Sequence, residues 1–225
     1  AQGVIGDDDA DGWRWQGERK VALTGVRNTA GSSVTRTLGD GHQTIYAWDG
    51  MAYISSEGDG AHDSLSWSAA TSRWVWTDGS TGTVEQYLDT TGRLASVADT
   101  EGTLITYSYD ALGRLASVKD SSGQELVLNY NVTGKLERLD TRTTTGGTLT
   151  RQVYYAYDTA GRLSTVSTDL TPIGSSITDG NVYTTTYAYD GTSLRIASVS
   201  QSDGTSVAYT YQLVGSDYRV ASVAD

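Results

Sequence analysis

Ile105-Thr-Tyr107-Ser-Tyr109-Asp110-Ala-Leu-Gly113-Arg114-Leu115-Ala-Ser-Val118 decides the fold. Ile105, Tyr107 and Tyr109 alternate with Thr and Ser, and a strict period of two is the signature of a strand with one covered face. Asp110-Ala-Leu-Gly113 fits a turn. An Asp side chain in first place accepts from backbone N–H groups two residues on, and glycine in fourth place adopts positive φ without strain. A second β-prone run starts at Arg114. The stretch therefore reads as one β-hairpin. Leu115 and Val118 have opposite parity in their strand, so they face opposite sides unless a β-bulge intervenes.

The pattern recurs on both sides of this segment. Arg93-Leu-Ala-Ser-Val97, Arg114-Leu-Ala-Ser-Val118, Lys135-Leu-Glu-Arg-Leu139, Arg162-Leu-Ser-Thr-Val166, Arg195-Ile-Ala-Ser-Val199 and Arg219-Val-Ala-Ser-Val223 are copies of one five-residue motif. D-x-x-G groups at Asp89–Gly92, Asp99–Gly102, Asp110–Gly113, Asp120–Gly123 and Asp158–Gly161 interleave with it. The incoming runs Leu126/Leu128/Tyr130, Val153/Tyr155/Tyr157, Tyr183/Thr185/Tyr187/Tyr189 and Val207/Tyr209/Tyr211 alternate in the same way. Such self-similarity marks a repeat architecture, here one hairpin per unit. Side-by-side hairpins predict an all-β fold, an antiparallel sheet that is curved and open. Its tyrosines form a stripe on one face, because Tyr buries a large ring and keeps a hydroxyl for a partner. Residues 140–152 and 167–182 lengthen two hairpins and read as loops projecting from a rim.

Composition agrees. The 225 residues hold 15 Tyr, 6 Trp and 26 Gly but only 1 Pro, which favours pleated strands punctuated by turns. The net charge of −11, with no basic cluster, argues against nucleic acid, whose phosphates need Lys and Arg. No apolar run reaches the roughly 20 residues that span a bilayer. The absence of Cys excludes disulfides and thiol chemistry. Ala1–Gly6 has none of the regions of a signal peptide.

At Tyr109-Asp110-Ala-Leu-Gly113-Arg114-Leu115 and Tyr157-Asp158-Thr-Ala-Gly161-Arg162-Leu163 the chain resembles the YD repeat of Rhs proteins. The same repeat occurs in the B and C subunits of insecticidal Tc toxins and in teneurins. The resemblance covers about residues 84–225, and Gly60–Gly79 is similar to a degenerate repeat preceding such arrays. It implies a β-strip spiralling into a hollow shell around a toxin carried by the same polypeptide, or, as in teneurins, a support for cell adhesion. The chain holds too few repeats to close a shell. Its only proline is Pro172, so the Asp-Pro core that ends an Rhs shell is missing, and no toxin-like domain follows Asp225. The expected partners are further repeats and an enclosed cargo domain of one secreted or surface-exposed bacterial polypeptide.

All Trp lie in residues 13–76, which suggests a Trp-rich β region over 1–83 continuous with the array over 84–225. Ile45–Ile54 reads as a hairpin around Asp49-Gly50, and Trp74 and Trp76 share one strand face. Trp48, Trp67, Trp74 and Trp76 are the candidates for a sugar-stacking surface, as an adhesive module binding glycans or a partner cell would need. Aromatics so spaced more often form core. Asp7-Asp-Asp9-Ala-Asp11-Gly12, five residues and then Glu18 satisfies the D-x-D-x-D-G-x₅-E calcium pattern, with the Trp13 carbonyl as a further ligand. The flanks are not helical and Arg14 replaces the usual apolar residue, so a Ca²⁺ loop stands beside a plain acidic turn. His42 and His62 are the only histidines, and no catalytic motif accompanies them. The repeated aspartates are accounted for by turns, and the repeated arginines by pairing with Asp or stacking on Tyr. The expected function is a non-catalytic scaffold.

Overall fold

The computed structural model describes residues 18–55, 58, 61–172, 177 and 179–225. The described residues form eighteen antiparallel strands and almost no helix, in an open sheet that is not closed into a barrel. The described residues divide into two compact units, one up to residue 124 and the other from 125 to 225. The compositional frontier at 83 lies inside the first of them. Among the described residues no helix is long and apolar enough to cross a membrane.

The first unit holds β1 (Lys20–Thr24), β2 (Ser33–Thr37), β3 (Gln43–Trp48), β4 (Tyr53–Ile54) and β5 (Ser64–Ser68). It continues with β6 (Arg73–Thr77), β7 (Val84–Leu88), β8 (Leu94–Ala98), β9 (Leu104–Tyr109) and β10 (Leu115–Asp120). Each strand pairs with the next. The sheet also rolls. The Val21 N–H donates to the Gly92 carbonyl at 2.8 Å and the Leu94 N–H to the Arg19 carbonyl at 3.2 Å, while Lys20 bridges Arg93. This clasp brings β1 back against the start of β8, short of a barrel closure.

Alternation explains what fills the roll. Every strand from β1 to β8 sends at least one side chain inward: Val21, Val34, Tyr46, Tyr53, Leu65, Trp74 with Trp76, Tyr87 and Leu94. Trp67 meets Trp74 edge-on at 5.5 Å, and Tyr53 meets Trp74 similarly at 5.3 Å, a favourable geometry for ring quadrupoles. One end of the roll is covered by the turn between β1 and β2. There the Asn28 N–H donates to the Tyr53 hydroxyl at 2.8 Å, and the Arg27 guanidinium lies 3.6 Å over Trp67.

The second unit is a meander of β11 (Glu125–Tyr130), β12 (Leu136–Arg142), β13 (Leu149–Tyr157) and β14 (Leu163–Asp169), then β15 (Val182–Tyr189), β16 (Ile196–Gln201), β17 (Ser206–Val214) and β18 (Asp217–Ala224). Residues 140–152, expected to project as a loop, are mostly strand. The β12–β13 ladder runs through Asp140↔Gln152 and Thr141↔Arg151 to Arg142↔Leu149, leaving only a short turn. Thr, Arg and Gln alternate there well enough to extend a hairpin, so the insertion lengthens the strands themselves. Between β14 and β15, by contrast, no strand is formed among the described residues of 170–181.

Candidate functional site

The Asp-x-x-Gly turns have the geometry their sequence predicts. At Asp158 the backbone N–H donates to the Arg162 carbonyl, the Gly161 N–H donates to the Asp158 carbonyl, and Gly161 has φ +80°. One carboxylate oxygen of Asp158 accepts from the N–H groups of Ala160 and Arg162 at 2.9 and 2.8 Å, and the other from Arg162 Nε at 2.7 Å. Asp110 repeats this with Leu112, Arg114 and a Gly113 of φ +80°. Asn131 takes the aspartate's place toward Thr133 and Lys135. Asp89 departs from the set. Its turn is closed from Leu88 to Arg93, and its carboxylate pairs with Arg27 on the loop over the Trp cluster.

These turns hold their carboxylates in the charged form. Backbone and side-chain donors of Arg162 keep Asp158 below the usual carboxylate range. The Ser80 hydroxyl, with the Thr81 and Ser80 N–H groups, lowers Asp78 from 3.8 to about 2. Because the folded value is depressed, this contribution to stability is present above pH 3.8 and is lost as pH falls through about 2. An NMR pH titration is expected to place the Asp78 midpoint near 2, and Asp78→Asn to remove part of the stability loss between pH 4 and 2. An Asp78 midpoint at or above 3.8 would show the turn does not bind the anion.

A bulge sits in the outgoing strand of each repeat hairpin from β7–β8 to β17–β18. Tyr157 pairs with Leu163 but Ala156 with Thr165, so Ser164 is skipped. Ala95, Ala116, Glu137, Ala197 and Ala221 are skipped in the same way. The extra residue resolves the parity conflict seen in the sequence: the Leu before it and the Val after it lie on one face. It also disrupts the ladder locally, leaving a carbonyl for another donor. That donor is the tyrosine of the following repeat. The Tyr109 hydroxyl donates to the Leu94 carbonyl, Tyr157 to Leu136 and Tyr189 to Leu163, each at 2.8 Å, and Tyr211 to Ile196 at 2.7 Å. Burial pushes the Tyr109 phenol up to about 12, so it remains a donor throughout the neutral range.

The cation that precedes each of these carbonyls lies over the same tyrosine. Arg93 sits 5.4 Å from the Tyr109 ring, Lys135 5.0 Å from Tyr157, Arg162 4.4 Å from Tyr189 and Arg195 5.5 Å from Tyr211. One tyrosine thus carries two links to the preceding repeat, a hydrogen bond and a cation–π contact. The residues singled out in the sequence, Tyr157, Asp158, Gly161 and Arg162, are brought together around one turn. Tyr109, Asp110, Gly113 and Arg114 form another. The arrangement joins each of these hairpins to the one before it.

A second polar centre, not anticipated from sequence, lies inside the roll. Glu85 is fully buried, and one of its oxygens accepts from Arg36 Nε at 3.0 Å, Arg36 Nη2 at 2.7 Å and the Tyr87 hydroxyl; the other accepts from Arg19. The Arg36 guanidinium lies 3.6 Å over Trp76, and Trp76 Nε1 donates to the Tyr46 hydroxyl at 2.9 Å. Burial pushes the Tyr46 phenol up to about 12 and Tyr87 further. The available signal was parity, since Glu85 shares the inward face of its strand with Tyr87.

Trp74 and Trp76 are buried in the core, Trp48 packs on Tyr53 at 5.1 Å, and the face of Trp67 is covered by Arg27. The four therefore do not form one exposed stacking surface. Asp7, Asp9, Asp11 and Trp13 lie outside the described residues; Glu18 is described and half-buried. Among the described residues no three His, Cys, Asp or Glu side chains could hold a metal ion.

The fold and this linkage define a β-hairpin-repeat scaffold. Residues 89–125 match the RHS repeat family. No curated protein matches it. Among solved structures, the crystal structure of TcdB2-TccC3 is 14% identical and aligns with 90% of this chain at a TM-score of 0.50. The crystal structure of TcdB2-TccC3-Cdc42 is 14% identical over 91% of the chain at 0.48. The Tc holotoxin pore of Photorhabdus luminescens is 14% identical over 90% at 0.40. The likeness to TcdB2-TccC3 is one of fold, and this chain spans 12% of the length of that one.

Proposed function

We propose that the chain is a non-catalytic wall segment of a YD-repeat shell in a large secreted bacterial protein of the toxin or effector kind. The observation that carries this reading is the tyrosine–carbonyl link, which ties every hairpin in which it is seen to the one before it. A sheet built by such a rule is extended by adding hairpins, and it resists bending because neighbouring repeats are joined on their faces as well as along their edges. Arg219 and Val220 repeat the Arg-Leu position on β18, and a further tyrosine-bearing strand there would continue the series. The RHS repeat match and the fold shared with TcdB2-TccC3 support the same reading.

The test is limited proteolysis of the natural polypeptide that contains this segment, as wild type and with Phe at 109, 157, 189 and 211. A wall protects what the shell encloses, so wild type is expected to yield a protected fragment from outside the array. The fourfold variant should release that fragment to the protease. Equal cleavage of enclosed and exposed parts in the wild type would contradict an encapsulating role.

The acidic pattern from Asp7 to Glu18 is proposed as a Ca²⁺ loop. Calcium is expected to stabilise the fold by RT ln(1 + [L]/Kd), about 2.7 kcal/mol at a hundredfold excess over Kd, and so to raise the melting midpoint. Asp9→Ala with Glu18→Ala should abolish the rise. Superimposed melting curves with calcium and with chelator would leave an ordinary acidic turn.

A further inference from the structure

At the end of the roll away from the Arg27 loop, the start of β1, the end of β2, the start of β3, the end of β6 and the start of β7 surround a cavity of about 520 Å³. That volume lies within the range of small-molecule sites. Its floor includes Arg36, Trp76 and Glu85, and its rim includes both histidines of the chain, His42 and His62.

Among the described residues the floor is short of negative charge. Glu85 is one carboxylate, yet Arg19 and Arg36 both pair with it. The Arg36 side chain is 8% exposed, and its fork is only half used. Nε and Nη2 point at Glu85, while Nη1 has no hydrogen-bond acceptor among the described residues. The outer edge formed by the two Nη groups faces away from Glu85 and matches a carboxylate bidentately. Trp76, stacked behind the guanidinium, fixes its plane.

The rim carboxylates do not fill this role. Asp63 accepts from the Gly79 N–H at 3.0 Å and the Tyr46 hydroxyl at 3.2 Å. Asp78 is turned into its own loop by Ser80 and Thr81. Around them the lining is rich in hydroxyls, from Thr44, Ser80 and Thr83, with the two exposed imidazoles beside them. Hydroxyls and imidazoles both donate and accept, which suits a ligand that itself carries several hydroxyls.

We propose that this cavity binds an acidic sugar, a uronic acid, with its carboxylate on the free edge of Arg36 and its hydroxyls among the rim side chains. The test is a titration of the full chain with glucuronate, glucose, acetate and inorganic phosphate, following the Trp76 indole N–H resonance by NMR. Glucuronate is expected to shift that resonance saturably and to bind at least about tenfold more tightly than any of the other three, as a bidentate charged pair adds to the hydroxyl contacts. Arg36→Lys keeps the charge but loses the fork and should abolish the preference. His42→Ala with His62→Ala alters only exposed rim groups and should weaken glucuronate about threefold with the melting midpoint unchanged. This pair decides the matter if the Arg36 variant does not fold. No saturable shift up to about 20 mM would overturn the proposal. So would glucose, acetate or phosphate binding as tightly as glucuronate, the last two marking a general anion site. Unaltered binding in both variants would do the same.

Discussion

Glu85→Ala is expected to destabilise the chain by about 3–5 kcal/mol, because removing one partner of a buried ion pair strands the other. Arg36 is the stranded group. It lies in the core against Trp76, and its Nε and Nη2 donate to the Glu85 oxygen that the Tyr87 hydroxyl also uses. The substitution therefore leaves the Arg36 guanidinium with only the Tyr87 hydroxyl, 3.0 Å from its Nε, takes away the acceptor of that phenol, and opens a void beneath Trp76. Glu85→Gln keeps an acceptor and the volume but removes the charge, and should fall between Ala and wild type. At about 2–4 °C per kcal/mol for a chain of this size, the Ala variant should melt on the order of 10 °C lower. A loss below about 1 kcal/mol would mean that the Glu85 pair contributes little to stability, water in the cavity solvating Arg36 in its place. Arg19→Ala should cost much less, since Arg19 is 35% exposed and can turn to solvent.

Gly92→Ala is expected to cost about 3 kcal/mol or more, far beyond the roughly 1 kcal/mol of an ordinary glycine replacement at positive φ. Gly92 has φ +67°, and a Cβ there would stand 1.9 Å from the Val21 carbonyl oxygen. Neither backbone can yield without opening the clasp that Val21 and Leu94 make across β1 and β8. Gly102→Ala is the matched control: its φ is +92°, but nothing lies within 4 Å of the added carbon. Chemical denaturation of both variants separates the steric cost from the conformational one. Hydrogen exchange at the Val21 and Leu94 amides should accelerate only in the Gly92 variant. Equal losses at both glycines would show that the clasp contributes nothing to stability.

Local features were the legible ones. Tyr109 and Tyr157 announced strands by parity, and Asp110 and Asp158 announced turns by their distance from a glycine, because both signals act within a few residues. The bulge was half legible. Leu115 and Val118 cannot share a face without it, but only the register identifies Ala116 as the skipped residue. The roll was not legible at all. Arg19 meets Glu85 across 66 positions and Arg36 meets it across 49, and no periodicity encodes such pairing. The tyrosine hydroxyl's partner was hidden for a similar reason: it is a backbone carbonyl 15 to 26 residues earlier, and carbonyls leave no mark on a sequence. Asp89 looked like its fellow turn aspartates, yet a tertiary contact with Arg27 claimed its carboxylate. The Trp residues were placed by burial, which spacing alone does not reveal.

The most direct measurement of the cross-repeat link compares Tyr157→Phe with Tyr155→Phe in the same strand. Both rings lie on one face and are half-buried, but only the Tyr157 hydroxyl donates to a carbonyl of the preceding repeat. Tyr157→Phe is expected to lose about 1–2 kcal/mol by urea denaturation, since the Leu136 carbonyl is left without its donor. Tyr155→Phe should lie within about 0.5 kcal/mol of wild type. Equal effects at the two positions would contradict the account, because ring burial alone would then explain why tyrosine recurs.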